Sequence, residues 1–208
     1  MKIIVFGASG TIGKEIVKQA LQKGHRVTAY VRSPQKFPFA ENENLKIYMG
    51  DLLDTKGLNK AVQDQDAVFC ALGDGSVGKI RAIGTRNIIK AMNDTAVKRL
   101  ICQTSIGAGD SYDMLNFKWK YIMFGLLLRR VLPDHNLQES YIQQSNLDYT
   151  IIRPSAFTNG PITNAYQIGA TQKLKNISLK INRADVADFM LQQLTVSTYI
   201  GKSVCISN

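Results

Sequence analysis

Lys2-Ile3-Ile4-Val5-Phe6-Gly7-Ala8-Ser9-Gly10-Thr11-Ile12-Gly13 opens this chain with an apolar run and three glycines, and an amphipathic segment follows to Lys23. The order strand, glycine turn, helix is the setting in which a pyrophosphate rests on a helix N-terminus. Gly7 permits the tight turn. Gly10 lets backbone N–H groups approach a phosphate with no Cβ in the way, and Gly13 lets the helix pack closely on the strand. The spacing is G-x-x-G-x-x-G rather than the commoner G-x-G-x-x-G. Ala8, Ser9, Thr11 and Ile12 fill the turn and complete the candidate cradle.

The same alternation continues outward from this turn. Short β-rich runs at Arg26–Val31, Lys46–Met49, Ala67–Ala71, Arg99–Gln103 and Tyr149–Ile152 are separated by segments with apolar residues at helical spacing. Those segments are Thr11–Lys23, Lys56–Gln63, Gly78–Asp94 and His135–Ser145. Continuously apolar strands between helices imply a mainly parallel sheet covered on both faces, an α/β doubly wound Rossmann arrangement. No repeat or linker divides the 208 residues, so one domain is expected over 1–208. The last sixty or so residues break the alternation and are expected to wrap over the carboxyl ends of the strands as a small substrate-site extension. Asp185 reads as a residue that caps or starts a helix from about Val186 to Leu194.

Composition narrows the function classes. The chain is 45% hydrophobic and 20% charged, ordinary for a globular protein. Its formal charge is +10, but the lysines are dispersed, as at Lys14, Lys18 and Lys23, with no aromatic-interleaved basic stripe. Nucleic acid is therefore not expected as a partner, whereas an anionic dinucleotide would be attracted. The longest apolar run, Tyr121 to Leu128, is too short to span a bilayer, and no membrane association is expected. Met1 leads straight into the first apolar run, so no secretory signal is expected. Cys70, Cys102 and Cys205 form no C-x-x-C pair, which suits buried thiols in a reduced cytoplasmic setting. Nothing distinguishes a monomer from a homodimer.

The end of the second strand discriminates between nicotinamide cofactors. An NAD site places Asp or Glu there to accept from the ribose 2′-OH. This chain has Tyr30-Val31-Arg32-Ser33-Pro34 instead. Arg32 offers a guanidinium fork for a 2′-phosphate and Ser33 a hydroxyl donor, so NADP, and NADPH over NADH, is expected. Asp51 and Leu52 follow the third strand, and Ala71, Leu72 and Gly73 follow the fourth. Asp51 is placed to accept from the adenine amino group, Leu52 to cover the ring, and the small residues to leave room for the dinucleotide.

Several of these pieces, with Asp66-Ala67-Val68, Gly84-Thr85-Arg86-Asn87, Thr104-Ser105, Leu147 to Pro154 and Arg183-Ala184-Asp185-Val186, resemble the atypical short-chain dehydrogenase/reductase superfamily over nearly the whole chain. Asp134-His135 and Pro161 to Tyr166 are most similar to its biliverdin-IXβ reductase/flavin reductase branch, with NmrA-like regulators as the neighbouring branch. The resemblance implies NADP binding. It places Ser105 beside the nicotinamide and the substrate as the catalytic candidate, with Thr104 as its neighbour. It also implies that Pro154, Ser155, Ala156 and Phe157 contact the nicotinamide end. That branch can carry a histidine where this chain has Ala156. Substrate-site elements are thus expected at about 105–135 and 154–185.

The Tyr-x-x-x-Lys pair of the classical enzymes is missing: Tyr112 reaches Asn116, Tyr121 reaches Gly125, and Tyr141 reaches Ser145. Hydride addition to a ketone builds a localised alkoxide that needs an acid close by, whereas a flavin or quinone spreads the arriving charge. The expected activity is therefore NADPH-dependent reduction of a flat conjugated small molecule. The alternative is a non-catalytic NADP-sensing regulator of the NmrA-like type. His135 reads as a helix-start or surface residue rather than a general acid, and no cluster suggests a metal. The apolar segment 118–132 reads as core by default, or as a cap over an aromatic substrate.

Overall fold

The strand β1 (Lys2–Phe6) alternates its side chains between two cores: Ile3 and Val5 enter one, Ile4 and Phe6 the other. A strand apolar on both faces is stable only in the middle of a covered sheet. A computed structural model describes residues 1–33, 37, 42–73, 79–127, 129–169, 174 and 177–208. After β1 come α1 (Thr11–Gln22), β2 (Arg26–Val31), β3 (Leu45–Met49), α2 (Thr55–Val62), β4 (Ala67–Cys70), α3 (Ile80–Asp94) and β5 (Arg99–Gln103). A 3-10 turn (Gly109–Met114) and a π-helical segment (Lys118–Leu127) lead to α4 (Val131–Gln143) and β6 (Asp148–Pro154). The chain ends with β7 (Ala156–Thr158), β8 (Gln167–Gly169), β9 (Lys180–Asn182), α5 (Arg183–Gln192) and β10 (Lys202–Ser207).

The main sheet has the order β3-β2-β1-β4-β5-β6-β10-β8, parallel except for β8. The order reverses between β1 and β4, so a crevice opens at their carboxyl ends. One core lies under α1 and α5, with Ile12, Ile16, Val186 and Phe189 fully or almost fully buried. The other lies under α2, α3 and α4, with Leu58, Ile88 and Ile142 at its centre. Among the described residues no helix is long and apolar enough to cross a membrane. The cysteines 70, 102 and 205 are free and buried.

The C-terminal residues depart from expectation. They do not merely wrap over the strand ends: α5 returns the chain to the sheet, and β10 pairs in parallel with β6. The stretch Lys202–Ser207 carries polar residues within a buried strand, which hid it from a search for apolar runs. Helix α4 begins at Val131 rather than His135 because Pro133 falls in its first turn, where a missing N–H costs no hydrogen bond. The expected helix start at Gly78, as well as Pro34 and Leu128, lies outside the described residues.

Asp185 also has a different task from the one expected. Asn182 occupies the N-cap of α5, and Asp185 sits fully buried in the first turn. Its carboxylate accepts from the backbone N–H groups of Thr163 (2.7 Å) and Asn164 (2.9 Å) and from the Thr163 hydroxyl (2.8 Å). It thereby ties the 160s loop to the helix. Asp185→Ala is expected to cost about 2–3 kcal/mol in urea unfolding, since three donors lose their acceptor at once.

Candidate functional site

A cleft of about 980 Å³ runs along the carboxyl ends of the strands, from the first glycine turn past β4 and β5 to the end of β6. Its floor begins where β1 ends. Gly7 has φ +79°, and a Cβ there would meet the Ala71 carbonyl oxygen at 2.3 Å. A Cβ on Gly13 would meet the Gly7 carbonyl oxygen at 2.1 Å. These two glycines allow the turn to sit against β4 and α1 to sit against the turn. Gly10 is the N-cap of α1; it has no side-chain cap, and no acidic residue occupies the first turn. The positive end of a twelve-residue helix therefore meets the cleft without a carboxylate against it.

Gly7, Ser9, Gly10, Thr11 and Ile12 lie on the wall, with Ala8 and Gly13 packed behind them. Arg32 is exposed at the end of β2 and reaches the same wall; Ser33 does not. Leu52, Ala71, Leu72 and Gly73 line the middle. Asp51 lies off the wall: its Oδ1 accepts from Leu53 N at 2.8 Å, and its carbonyl accepts from the Tyr30 hydroxyl at 2.9 Å. Burial pushes the Tyr30 phenol up to about 12, helped by Tyr48, Asp54 and Asp51, so it stays a neutral donor beneath the cleft.

At the far end, Thr104 and Ser105 continue β5 alongside β6, with Thr104 N donating to the Ile152 carbonyl at 2.8 Å. Thr104 is buried, and its hydroxyl donates to Glu139 Oε1 at 2.7 Å. Glu139 is in turn held by Arg153, whose Nε and terminal nitrogen lie 3.0 and 2.6 Å from its two oxygens. Burial alone would lower the Arg153 pKa, but the bonds to Glu139 and Asp110 outweigh it and hold the guanidinium above its ordinary value. Ser105 is half-buried on the wall and donates to the Ile106 carbonyl at 3.0 Å. Pro154, Ser155, Ala156 and Phe157 close this end. The buried Ser155 hydroxyl has no hydrogen-bond partner among the described residues, a polar atom of the kind that a bound ligand satisfies.

The opposite wall comes from the apolar segment 118–132, which sequence reading offered as core or as a cap over the substrate without saying which side chains face the cleft. Trp119, Met123 and Phe124 of the π-helical segment face the cleft, joined by Val131 and His135 of α4. Apolar periodicity marked the segment but not which of its residues face inward. His135 is not a surface residue: packing of α4 against the cleft buries it in the helix's second turn, with its Nδ1 3.1 Å from Gln138 Oε1. Gln138 Nε2 donates onward to the Thr85 hydroxyl at 2.9 Å and to the Cys102 sulfur at 3.3 Å. Burial holds the Cys102 thiol well above its ordinary pKa, so its sulfur meets Gln138 as a neutral thiol. Arg81, buried on the middle wall, lies 3.4 Å from Asp134, which also accepts from the first N–H groups of α3. No group of three or more His, Cys, Asp or Glu among the described residues could hold a metal ion.

The arrangement fits a dinucleotide: a helix N-terminus for the pyrophosphate, a guanidinium beside it, and an apolar and aromatic slot beyond. Comparison with known proteins agrees. A family model described as NAD(P)H-binding matches residues 7–196. The photosystem II assembly factor Ycf39 of Synechocystis is 26% identical over 221 residues, covering 98% of this chain and 61% of that protein. An uncharacterized chloroplastic protein of Arabidopsis thaliana is 33% identical over 178 residues, covering 78% of this chain and 61% of its own length. The chain thus spans about three fifths of each of these curated relatives. Among solved structures, the oxidoreductase ylbE from Lactococcus lactis superposes with a TM-score of 0.83 at 25% identity, covering 100% of this chain and 91% of that one.

Proposed function

This chain belongs to the NAD(P)H-binding family of atypical short-chain dehydrogenases/reductases, and from that membership we propose that it is an NADPH-dependent reductase of a flat conjugated acceptor, a flavin or a quinone. The observation that carries the reading is the open slot beyond Ser105, walled by Trp119, Phe124 and Phe157. A sensor has no need of a second open compartment next to its dinucleotide.

When bound, the dinucleotide would supply hydride. The protein's own part is positional. Gly10 and the first N–H groups of α1 hold the pyrophosphate, Arg32 holds the 2′-phosphate, and the Ser155 hydroxyl finds its partner on the nicotinamide side. The aromatic walls stack the acceptor flat and exclude water, a contribution of proximity and orientation. Glu139 takes the Thr104 hydroxyl out of the chemistry by accepting its proton in a hydrogen bond, which leaves Ser105 as the hydroxyl that meets the acceptor. Ser105 orients it by a hydrogen bond. A conjugated acceptor spreads its new charge, so water can deliver the proton.

NADPH oxidation in the presence of FMN, FAD and quinones tests the reading, and turnover with at least one is expected. Tight NADPH binding without oxidation in any mixture would replace it with the sensing role. Ser105→Ala is expected to lower kcat/KM by about 3–10-fold in steady-state kinetics, the loss of an orienting bond. A loss of about a hundredfold or more would instead make Ser105 the general acid.

A further inference from the structure

The stretch from Phe117 to Leu126 has two apolar faces, and the cleft accounts for only one. Trp119, Met123 and Phe124 turn inward. Phe117, Tyr121, Ile122 and Leu126 are 73%, 61%, 45% and 69% exposed. The inward positions 119 and 123–124 and the outward positions 117, 121–122 and 126 each recur every four to five residues. That is the period expected of the i→i+5 bonding seen from Lys118 to Leu127. The wide turn therefore divides one apolar sequence into a cleft wall and a solvent-facing ridge. Phe117 and Tyr121 pack on each other along the ridge, with ring centroids 4.7 Å apart.

Cations border the ridge at both ends. Lys118, Arg129 and Arg130 are exposed, Lys120 is half-buried, and no acidic residue occurs between 117 and 130. Lys120 reaches back 3.7 Å to Asp113. Two copies of this chain joined through the ridge would bring these cations face to face, in a protein already carrying +10. An anionic lipid surface instead complements both parts. Aromatic and aliphatic tips enter the headgroup boundary, and lysine and arginine meet the phosphates. The brevity of the run rules out a span, but sets no limit on a segment lying in the interface plane.

We propose that the ridge of Phe117, Tyr121, Ile122 and Leu126, with the cations bordering it, docks this protein on an anionic bilayer surface, and that the cleft behind it draws a conjugated acceptor dissolved in that lipid, quinone rather than free flavin. The identity of the acceptor rests on the reductase reading above; the docking does not.

The test is co-sedimentation of the whole chain with vesicles of phosphatidylcholine alone and with about a third phosphatidylglycerol. Binding is expected to the anionic vesicles only and should be largely released by about 0.5 M salt, where the Debye length is a few ångströms. Phe117→Ser with Leu126→Ser is expected to weaken partition at least about tenfold, leaving thermal stability and NADPH affinity unchanged, because neither side chain lines the cleft. No partition of the wild type onto anionic vesicles at low salt overturns the proposal. A concentration-dependent dimer in lipid-free solution, dissolved by the same pair of substitutions, overturns it in favour of a second copy. For the acceptor, the double variant should lose turnover of vesicle-dissolved quinone but keep turnover of a soluble quinone. Equal rates in variant and wild type on vesicles would overturn the lipid route. Vesicle binding without NADPH oxidation by any acceptor defeats the reductase reading alone, and oxidation without vesicle binding defeats the docking alone.

Discussion

Replacing Glu139 by alanine is expected to lower the stability of the fold by about 3–5 kcal/mol, because it strands a buried guanidinium. The side chains of Glu139 and Arg153 are each only 4% exposed, and two of the Arg153 nitrogens bond Glu139. The remaining partner, Asp110, is on the surface with an 88% exposed side chain, and its exposed carboxylate is a weak substitute. At this chain length the loss corresponds to a fall in Tm on the order of 10 °C. Thermal and urea unfolding check it. Removing both charges together, Glu139→Gln with Arg153→Met, should cost clearly less than Glu139→Ala, since neither charge is then left alone. Equal losses would mean that the pair contributes only through packing. The site should feel the single substitution too, because Glu139 holds the Thr104 hydroxyl next to Ser105.

The second large effect concerns the cofactor. Arg32→Glu is expected to raise the Kd for NADPH by about 10–100-fold while changing that for NADH by less than about threefold, as measured by fluorescence titration. The guanidinium is exposed at the end of β2, on the cleft wall, and makes no ion pair with any other described residue. A carboxylate at that place repels a 2′-phosphate and is able to accept from a 2′-hydroxyl. An equal loss for both dinucleotides would show that Arg32 acts on the pyrophosphate or on the fold, and preference for NADPH would then need another source.

Much of this architecture was legible in local sequence because it depends on local physics. A buried parallel strand must be apolar on both faces, and a phosphate turn must lack Cβ atoms. Both constraints are written into Ile3-Ile4-Val5-Phe6 and Gly7 to Gly13, and the cleft forms where they predict. β10 escaped because its burial comes from pairing with β6, which lies some fifty residues earlier, and not from its own composition. Nothing in the local sequence around Glu139 or Arg153 marks the two as partners. Only the packing of α4 on β6 buries them together and gives the acid a structural task. Asp185 likewise has a sequence position typical of a helix start, while its three donors come from a loop twenty residues away.

The sequence by itself determined the first six strands of the sheet, the glycine turn at the end of β1 and the cation at the end of β2, since each follows from local composition and spacing. Tertiary structure alone decided which charges became buried scaffold, that a buried carboxylate takes the Thr104 hydroxyl, and that the segment from Phe117 to Leu126 shows one face to the cleft and another to the outside. Those outcomes depend on groups far apart in the chain meeting in a low-dielectric interior, where a partner's presence or absence reverses the sign of the energy.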